Sequence, residues 1–304
     1  MKMKRIVYMG TPEYAKVILD SIINDDRFEV VLVLTQPDKK IGRKQILTPP
    51  PVKTLANLHN IEVLQPTTLR DDGIYEAIVE AKPDFIIVAA FGQLLPKNIL
   101  DIAPCINLHA SLLPQYRGAS PIQQSLLNGD RYTGVTAMMM EEGLDSGDIL
   151  AYRYFEIPFE MSRLALQELL SHEASKLILE VMDRFELIAP LAQITTRSTH
   201  CKKIKKEMGE IEFIDALEIY NKYRAFEEWP MIFNSEGTKF LDISVEEQQS
   251  DNVGEILAID KKGVLIGCAK GSIRVKSLQP ASKKPTEAKA YCISKGLKVG
   301  DSFI

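Results

Sequence analysis

Three short, continuous apolar runs punctuate the amino-terminal part of the chain: Arg5-Ile-Val-Tyr-Met9, Val30-Val-Leu-Val-Leu34 and Phe85-Ile-Ile-Val-Ala89. Runs that stay apolar instead of alternating predict parallel strands covered on both faces. Between them the spacing predicts helices at about Glu13–Asn24, Pro51–His59 and Asp72–Ala81, with Thr11 as the cap of the first and Pro12 as its first residue. Strand and helix in alternation, joined by right-handed crossovers, predict a doubly wound α/β sheet. In such sheets functional sites form outside the carboxyl ends of the strands. From Ser162 to Ile188 one long helix is predicted. Its Leu166, Leu170, Leu177, Val181 and Phe185 fall mostly at three- or four-residue spacing or multiples of it, a stripe suited to packing on the sheet, and Pro190 stops it.

The pattern then changes. Residues 190–208 are polar, with Lys202, Lys203, Lys205 and Lys206 among them, and read as a linker. Beyond it a helix is predicted over Asp215–Phe226, then strands at Thr238–Val245, Val253–Ile259, Val264–Cys268 and Ser272–Leu278. Asp260-Lys-Lys-Gly263 and Lys270-Gly271 supply turns between them, so a small β-barrel or sandwich follows. The expected organisation is 1–189, an α/β domain; 190–208, a linker; and 209–304, a smaller β domain.

Candidate chemistry gathers where strands end. Asn107 and His109 stand two apart in an apolar run, so on a strand both face the same way. An amide beside an imidazole suits a carbonyl oxygen that is becoming an oxyanion. Asp145, in Gly143-Leu-Asp-Ser-Gly147, comes from a second strand end and can orient the imidazole or a water and move protons. An Asn and a His near a strand end are more often satisfied polar residues than catalysts, so the assignment needs all three groups and their surroundings.

Competing chemistries lack their parts. Gly10-Thr-Pro-Glu-Tyr-Ala15 has one glycine where a dinucleotide fingerprint needs three, and Pro12 removes a backbone donor a pyrophosphate would use. Neither a phosphate-binding G-x-x-x-x-G-K-[ST] loop nor a G-x-S-x-G nucleophile elbow is present. Four scattered cysteines lack metal-ligand spacing, so reduced thiols and no metal are expected.

The composition, 45% hydrophobic and 26% charged, is that of an ordinary globular protein, and no apolar run approaches the roughly 20 residues that cross a bilayer. With no signal-peptide core after the basic start, a cytoplasmic protein without membrane contact is expected. The net charge of −4 conceals an asymmetry: Lys261–Ile304 holds ten Lys/Arg against Glu287 and Asp301, a local balance of +8. A basic segment on an acidic chain is what a nucleic-acid contact on one domain produces, although a solvated lysine-rich surface is the commoner cause.

Longer words narrow the chemistry further. Ile106-Asn-Leu-His-Ala-Ser-Leu-Leu-Pro-Gln-Tyr-Arg-Gly-Ala-Ser-Pro-Ile-Gln123 and Gly143-Leu-Asp-Ser-Gly-Asp148 resemble the 10-formyltetrahydrofolate-dependent formyltransferases. Met9-Gly-Thr-Pro-Glu-Tyr-Ala15, Thr35-Gln-Pro-Asp-Lys-Lys-Ile-Gly-Arg43, Ala89–Pro96 and Tyr220–Pro230 extend the likeness over nearly the whole chain. Thr35–Arg43 and Arg224-Ala-Phe-Glu-Glu-Trp-Pro230 are similar to the branch that acts on initiator methionyl-tRNA.

The resemblance implies a Rossmann-like catalytic domain and an OB-like carboxy-terminal barrel. It makes Asn107, His109 and Asp145 catalytic and places Ser111, Leu112, Leu113 and Pro114 in the tetrahydrofolate site, with Gly92 and Leu94 lining its pterin end. It assigns tRNA contact to Arg43 and to its neighbour Lys44; Lys283 and Lys284 are added from the basic segment. The chain departs from the family pattern at Gln115, Ser120, Lys40-Ile41 and Glu228. A monomer is expected. Formylation of a small amine such as glycinamide ribonucleotide or an amino-sugar nucleotide, release of free formate, and a catalytically silent folate- or RNA-binding module remain as alternatives.

Overall fold

The computed structural model describes residues 2–42 and 44–303, which form two compact units. The first comprises the chain as far as Pro121 together with Tyr132–Ile157 and Ala165–Lys202. Its centre is a seven-stranded sheet built from β1 (Lys4–Gly10), β2 (Phe28–Leu34), β3 (Val63–Leu64), β4 (Phe85–Ala89), β5 (Cys105–His109), β6 (Tyr132–Met139) and β7 (Ile149–Glu156). The strands lie in the order β7-β6-β5-β4-β1-β2-β3. All pairings from β3 across to β5 are parallel, and β6 and β7 add to the β5 edge antiparallel. The order reverses between β1 and β4, the kind of switch point beside which doubly wound sheets place their sites, and β5 is the next strand beyond β4.

The three predicted parallel strands form as β1, β2 and β4: β4 is buried along its whole length, β1 from Ile6 onward and β2 from Leu32 onward, and β5 beside them is buried throughout. α1 (Glu13–Ile23), α2 (Pro51–Leu58), α3 (Ile74–Ala81), α4 (Lys97–Leu100), α5 (Pro121–Leu127) and α6 (Arg163–Asp183) are the helices up to Lys202. One core layer joins Val7, Met9, Leu32, Leu34, Ile86 and Val88 of the sheet to Ile74 and Ile78 of α3. Leu166, Leu170, Leu177 and Val181 of α6 are buried, whereas Phe185 is half-buried on a short 3-10 turn, edge-on to Phe85 at 5.1 Å.

The predicted cap of α1 shifts by one residue. Pro12 occupies the cap position with no side-chain bond. The Thr11 hydroxyl instead donates to the Phe91 carbonyl and accepts from the Gln36 N–H, both at 3.4 Å, and so ties three strand ends together. Gly10 is required here. A Cβ would stand 2.7 Å from the Ala15 Cβ and 2.9 Å from the Ala89 carbonyl oxygen, because the end of β1 packs against the end of β4.

The second unit comprises Ile122–Arg131, Pro158–Leu164 and the chain from Lys203 onward. It holds β8 (Ile232–Phe233), β9 (Lys239–Glu246), β10 (Ile256–Asp260), β11 (Gly263–Gly267), β12 (Ser272–Gln279) and β13 (Thr286–Glu287) in an antiparallel sheet ordered β8-β9-β12-β11-β10, with β13 on β12. Tight turns at Asp260–Gly263 and before Ser272 set its register, as predicted. α7 (Ala216–Ala225) is capped by Asp215, whose carboxylate accepts from the N–H groups of Leu217 and Glu218, and α8 (Ala288–Lys295) follows β13. Phe213, Phe240, Tyr291 and Phe303 form the aromatic centre of this unit.

Candidate active site

Asn107 and His109 close β5, and the hydrogen-bonded edge that β6 lends this strand fixes both side chains in a buried position, 8% and 6% exposed. Asp145 arrives from the loop between β6 and β7, with a positive φ of 49°. Its two carboxylate oxygens divide the work. Oδ1 lies 3.4 Å from the Asn107 amide nitrogen, and Oδ2 lies 3.7 Å from His109 Nδ1 while accepting the Gly118 N–H at 2.8 Å. The three candidates are therefore within reach of one another.

The imidazole has a defined orientation. Its Nε2 is 2.9 Å from the Tyr116 carbonyl, which can only accept, so Nε2 carries a proton and donates it there. Nδ1 then faces Asp145 and is the nitrogen left for chemistry. In the neutral ring it is a proton acceptor; as imidazolium it becomes a donor beside a carboxylate. The Asn107 amide has two hydrogens and directs one toward Asp145.

Several supporting groups were invisible as chemistry in the sequence. Tyr14 of α1 is buried and donates to the carbonyl of Leu108, the residue between the two candidates, at 3.4 Å; burial pushes its phenol well above the usual tyrosine range, so it stays protonated. Gly118 must be glycine: at φ 122° a Cβ would meet the Cys201 carbonyl oxygen at 2.3 Å. Residues 200–201 pair in parallel with 117–118, so the polar stretch read as a linker carries structure. Within it, Gln193 donates to the carbonyls of Asp145 and Gly147 and accepts from Arg117. Arg117 and Gly118, inside the longest motif, and Tyr14, inside Met9–Ala15, had a sequence signal as motif members, whereas Gln193 had none. The Cys201 thiol, beside this pairing, is raised by burial, and Cys105 is pushed up to about 12, so neither is a ready nucleophile.

The expected folate segment follows directly from β5. Ser111 is fully buried and its hydroxyl donates to the Gln115 carbonyl at 2.6 Å, Leu113 is buried, and Leu112 and Pro114 are half-buried. Thr136 of β6, the register partner of His109, donates to the Ser111 carbonyl at 2.7 Å and accepts the Leu113 N–H at 3.1 Å. Gly92 is exposed with open space around it, and Leu94 is 62% exposed although nonpolar. That loop is anchored by Gln93, which accepts the Leu69 N–H and donates to the Pro66 carbonyl. An exposed apolar side chain on an anchored loop suits the flat face of a pterin. Two cavities, of about 290 and 330 Å³, are lined by other residues, among them Glu210, Asp215 and Glu218 in one and Asp71, Tyr75 and Asn98 in the other. Among the described residues no cluster of three or more His, Cys, Asp or Glu stands ready to hold a metal.

Of the expected tRNA contacts, Arg43 lies outside the described residues. Lys44 is exposed in the turn of a hairpin that pairs Lys39–Ile41 with Ile46–Thr48. At the base of that hairpin Lys53 bridges both Asp38 oxygens at 2.9 Å. In the second unit Lys283 and Lys284 are exposed, but the basic segment is less free than its count suggests. Arg274 is buried between Glu246 and Asp260, and Lys270 and Lys276 lie 3.5 and 3.6 Å from Asp215 and Asp242.

A buried amide–imidazole–carboxylate group at the end of an interior strand of a doubly wound sheet, in a chain that continues into an antiparallel β unit, defines a class of acyl-transfer enzyme. The family model described as "Formyl transferase" matches residues 3–182 and the one described as "Formyl transferase, C-terminal domain" matches residues 203–296, so the chain belongs to the formyl transferase family. Within it the chain is 57% identical over 301 residues to the methionyl-tRNA formyltransferase of a Sulfurovum species, covering 99% of each. It is 54% identical to that of a Nitratiruptor species, covering 98% of this chain and 99% of the other. Solved structures with the same fold include an N-formyltransferase of Helicobacter canadensis in complex with folinic acid and dTDP-3-aminofucose (TM-score 0.68, 19% identity, 90% of this chain and 98% of the other). HypX of Aquifex aeolicus in complex with tetrahydrofolic acid shares the fold over 98% of this chain at TM-score 0.61 and 17% identity, and the chain spans about half (49%) of HypX. No helix among the described residues is long and apolar enough to cross a membrane.

Proposed function

We propose that this chain transfers the formyl group of 10-formyltetrahydrofolate to the α-amine of methionyl initiator tRNA. The observation that carries the reading is the convergence of Asn107 and His109 on the Asp145 carboxylate at the end of β5. Full-length likeness to methionyl-tRNA formyltransferases supports the acceptor. In this reading the expected domain 1–189 carries the chemistry with support from Gln193 and residues 200–201, the remainder of 190–208 connects, and 209–304 hold the tRNA through exposed lysines such as Lys283 and Lys284. The site works in the cytoplasm, in a monomer. The donor sits against Ser111–Pro114 with its ring near Gly92 and Leu94.

The amine of an aminoacyl ester attacks the formyl carbon directly. The free amide hydrogen of Asn107 stabilises the oxygen as it gains charge, and one such donor is worth on the order of 3–4 kcal/mol of barrier. His109 Nδ1 takes the proton the amine sheds. Asp145 stabilises the imidazolium so formed, and the proton is returned to N10 of the departing tetrahydrofolate. The test supplies 10-formyltetrahydrofolate with methionyl initiator tRNA, glycinamide ribonucleotide or an amino-sugar nucleotide, and monitors free formate. Formyl-methionyl-tRNA is the expected product. Turnover confined to a small amine, or formate without transfer, contradicts the reading.

A further inference from the structure

Asp145 occupies an uncommon backbone position. Its φ of 49° lies in the left-handed region, which aspartate adopts where its short polar side chain is bonded locally, and the residues before it, 141–144, are exposed. Its carboxylate is held by the Gly118 N–H at 2.8 Å and the Asn107 amide at 3.4 Å. Gln193 holds its backbone. Its amide nitrogen donates to the Asp145 carbonyl at 2.9 Å and to the Gly147 carbonyl at 2.7 Å, spanning the turn that displays the carboxylate. The other end of the same amide accepts two hydrogen bonds from the Arg117 guanidinium, at 3.1 and 2.8 Å. Arg117 is buried, and the next residue along the chain is Gly118, whose N–H meets the Asp145 carboxylate. The bonds close a ring: Asp145 carboxylate, Gly118, Arg117, Gln193, Asp145 carbonyl. The amide orientation is fixed by its partners, since reversing it would set oxygen against two carbonyls and nitrogen against a guanidinium.

We propose that Gln193, locked by Arg117, is a positioning residue that holds Asp145 from behind so that its carboxylate reaches both Asn107 and His109. This rests on the reading of the trio above. The hydrogen bonds of Gln193 go to the Asp145 and Gly147 carbonyls and to Arg117, so it acts on the trio through where Asp145 stands. Glutamate is the informative replacement. It keeps the length and the Arg117 pairing, and with them the local packing, but gives up both donors and turns a carboxylate toward two carbonyls.

The experiment measures kcat and the KM for each substrate, together with the melting temperature, for the full chain carrying Gln193→Glu, Gln193→Ala, Asp145→Asn, and Gln193→Glu with Asp145→Asn; the last two are followed by single turnover with enzyme in excess. Displacing a catalytic group by about an ångström costs on the order of a hundredfold, so kcat of Gln193→Glu should fall about 10- to 100-fold with both KM values within about twofold. Adding Gln193→Glu to Asp145→Asn should cost almost nothing more, because the positioned group is already gone. Wild-type kcat in Gln193→Glu while Asp145→Asn is crippled would overturn the brace and leave the site reading standing, as would a full additional loss in the double variant. Wild-type activity in Asp145→Asn would overturn the site reading and the brace with it.

Discussion

Thr136→Val tests whether the donor-binding segment is held in place by β6. The substitution keeps the side-chain shape and removes the hydroxyl, which lies 1% exposed and bonds both the Ser111 carbonyl and the Leu113 N–H. Valine leaves two buried backbone groups without partners. Each orphaned group costs about 1–3 kcal/mol, so a loss of about 3–4 kcal/mol is expected. At about 2–4 °C per kcal/mol for a unit of this size, the melting temperature should drop by roughly 10 °C. Under the proposed placement of the donor, the same bonds hold Ser111–Leu113 in the conformation it meets. Reordering that segment on binding should raise the KM for 10-formyltetrahydrofolate about fivefold, equivalent to ~1 kcal/mol, and leave the KM for tRNA unchanged. Thermal unfolding followed by circular dichroism and steady-state formylation check both. Thr136→Ser, which restores the hydroxyl, should recover most of each loss. A valine variant with wild-type melting temperature and wild-type KM would mean that these bonds neither stabilise nor organise the segment.

Two other expectations concern the second unit. The Arg274 guanidinium holds Glu246 below its ordinary value, and the Lys262 N–H, helped by Arg274, does the same for Asp260. Carboxylates lowered in the folded state contribute stability that is present above their ordinary values, 4.5 and 3.8, and is lost as pH falls through and below them. Melting temperatures recorded from neutral pH downward should therefore show a decline over that window that is shallower in Arg274→Ala, which starts lower at neutral pH; parallel curves would contradict the pairing. Replacing Lys283 and Lys284 together with alanine should weaken tRNA binding uniformly and reduce the slope of log affinity against log salt by about 0.7–0.9 for each lysine that meets a phosphate. An unchanged slope in fluorescence titrations would remove them from the interface.

The parallel strands could be read from the sequence because strands buried on both faces are written as unbroken apolar runs, as in Phe85–Ala89. Asn107, His109 and Asp145 were legible because the fold brings strand ends together and because the three residue types share one chemistry. What escaped depends on neighbours distant in sequence. Thr11 has every local feature of a helix cap, yet its hydroxyl is drawn to Phe91 and Gln36 on adjacent strand ends. The polar residues 190–202 look like a tether, but Leu191 bridges Ile149 and the 200–201 strand pairs with 117–118. Gln193 acquires its meaning only once the Asp145 loop stands beside it, 48 positions away in sequence. The basic count of the carboxy-terminal segment overstated its free charge, because composition cannot show that Arg274 is buried between two acids.

In the proposed mechanism Asn107 acts on the charge that develops on the formyl oxygen, and Asn107→Ala isolates that contribution. Single-turnover formyl transfer to methionyl initiator tRNA, run beside a binding titration with the folate donor, separates chemistry from affinity. Transfer slowed by roughly a hundred- to a thousandfold with donor affinity unchanged is the predicted result. Transfer at the wild-type rate would contradict it.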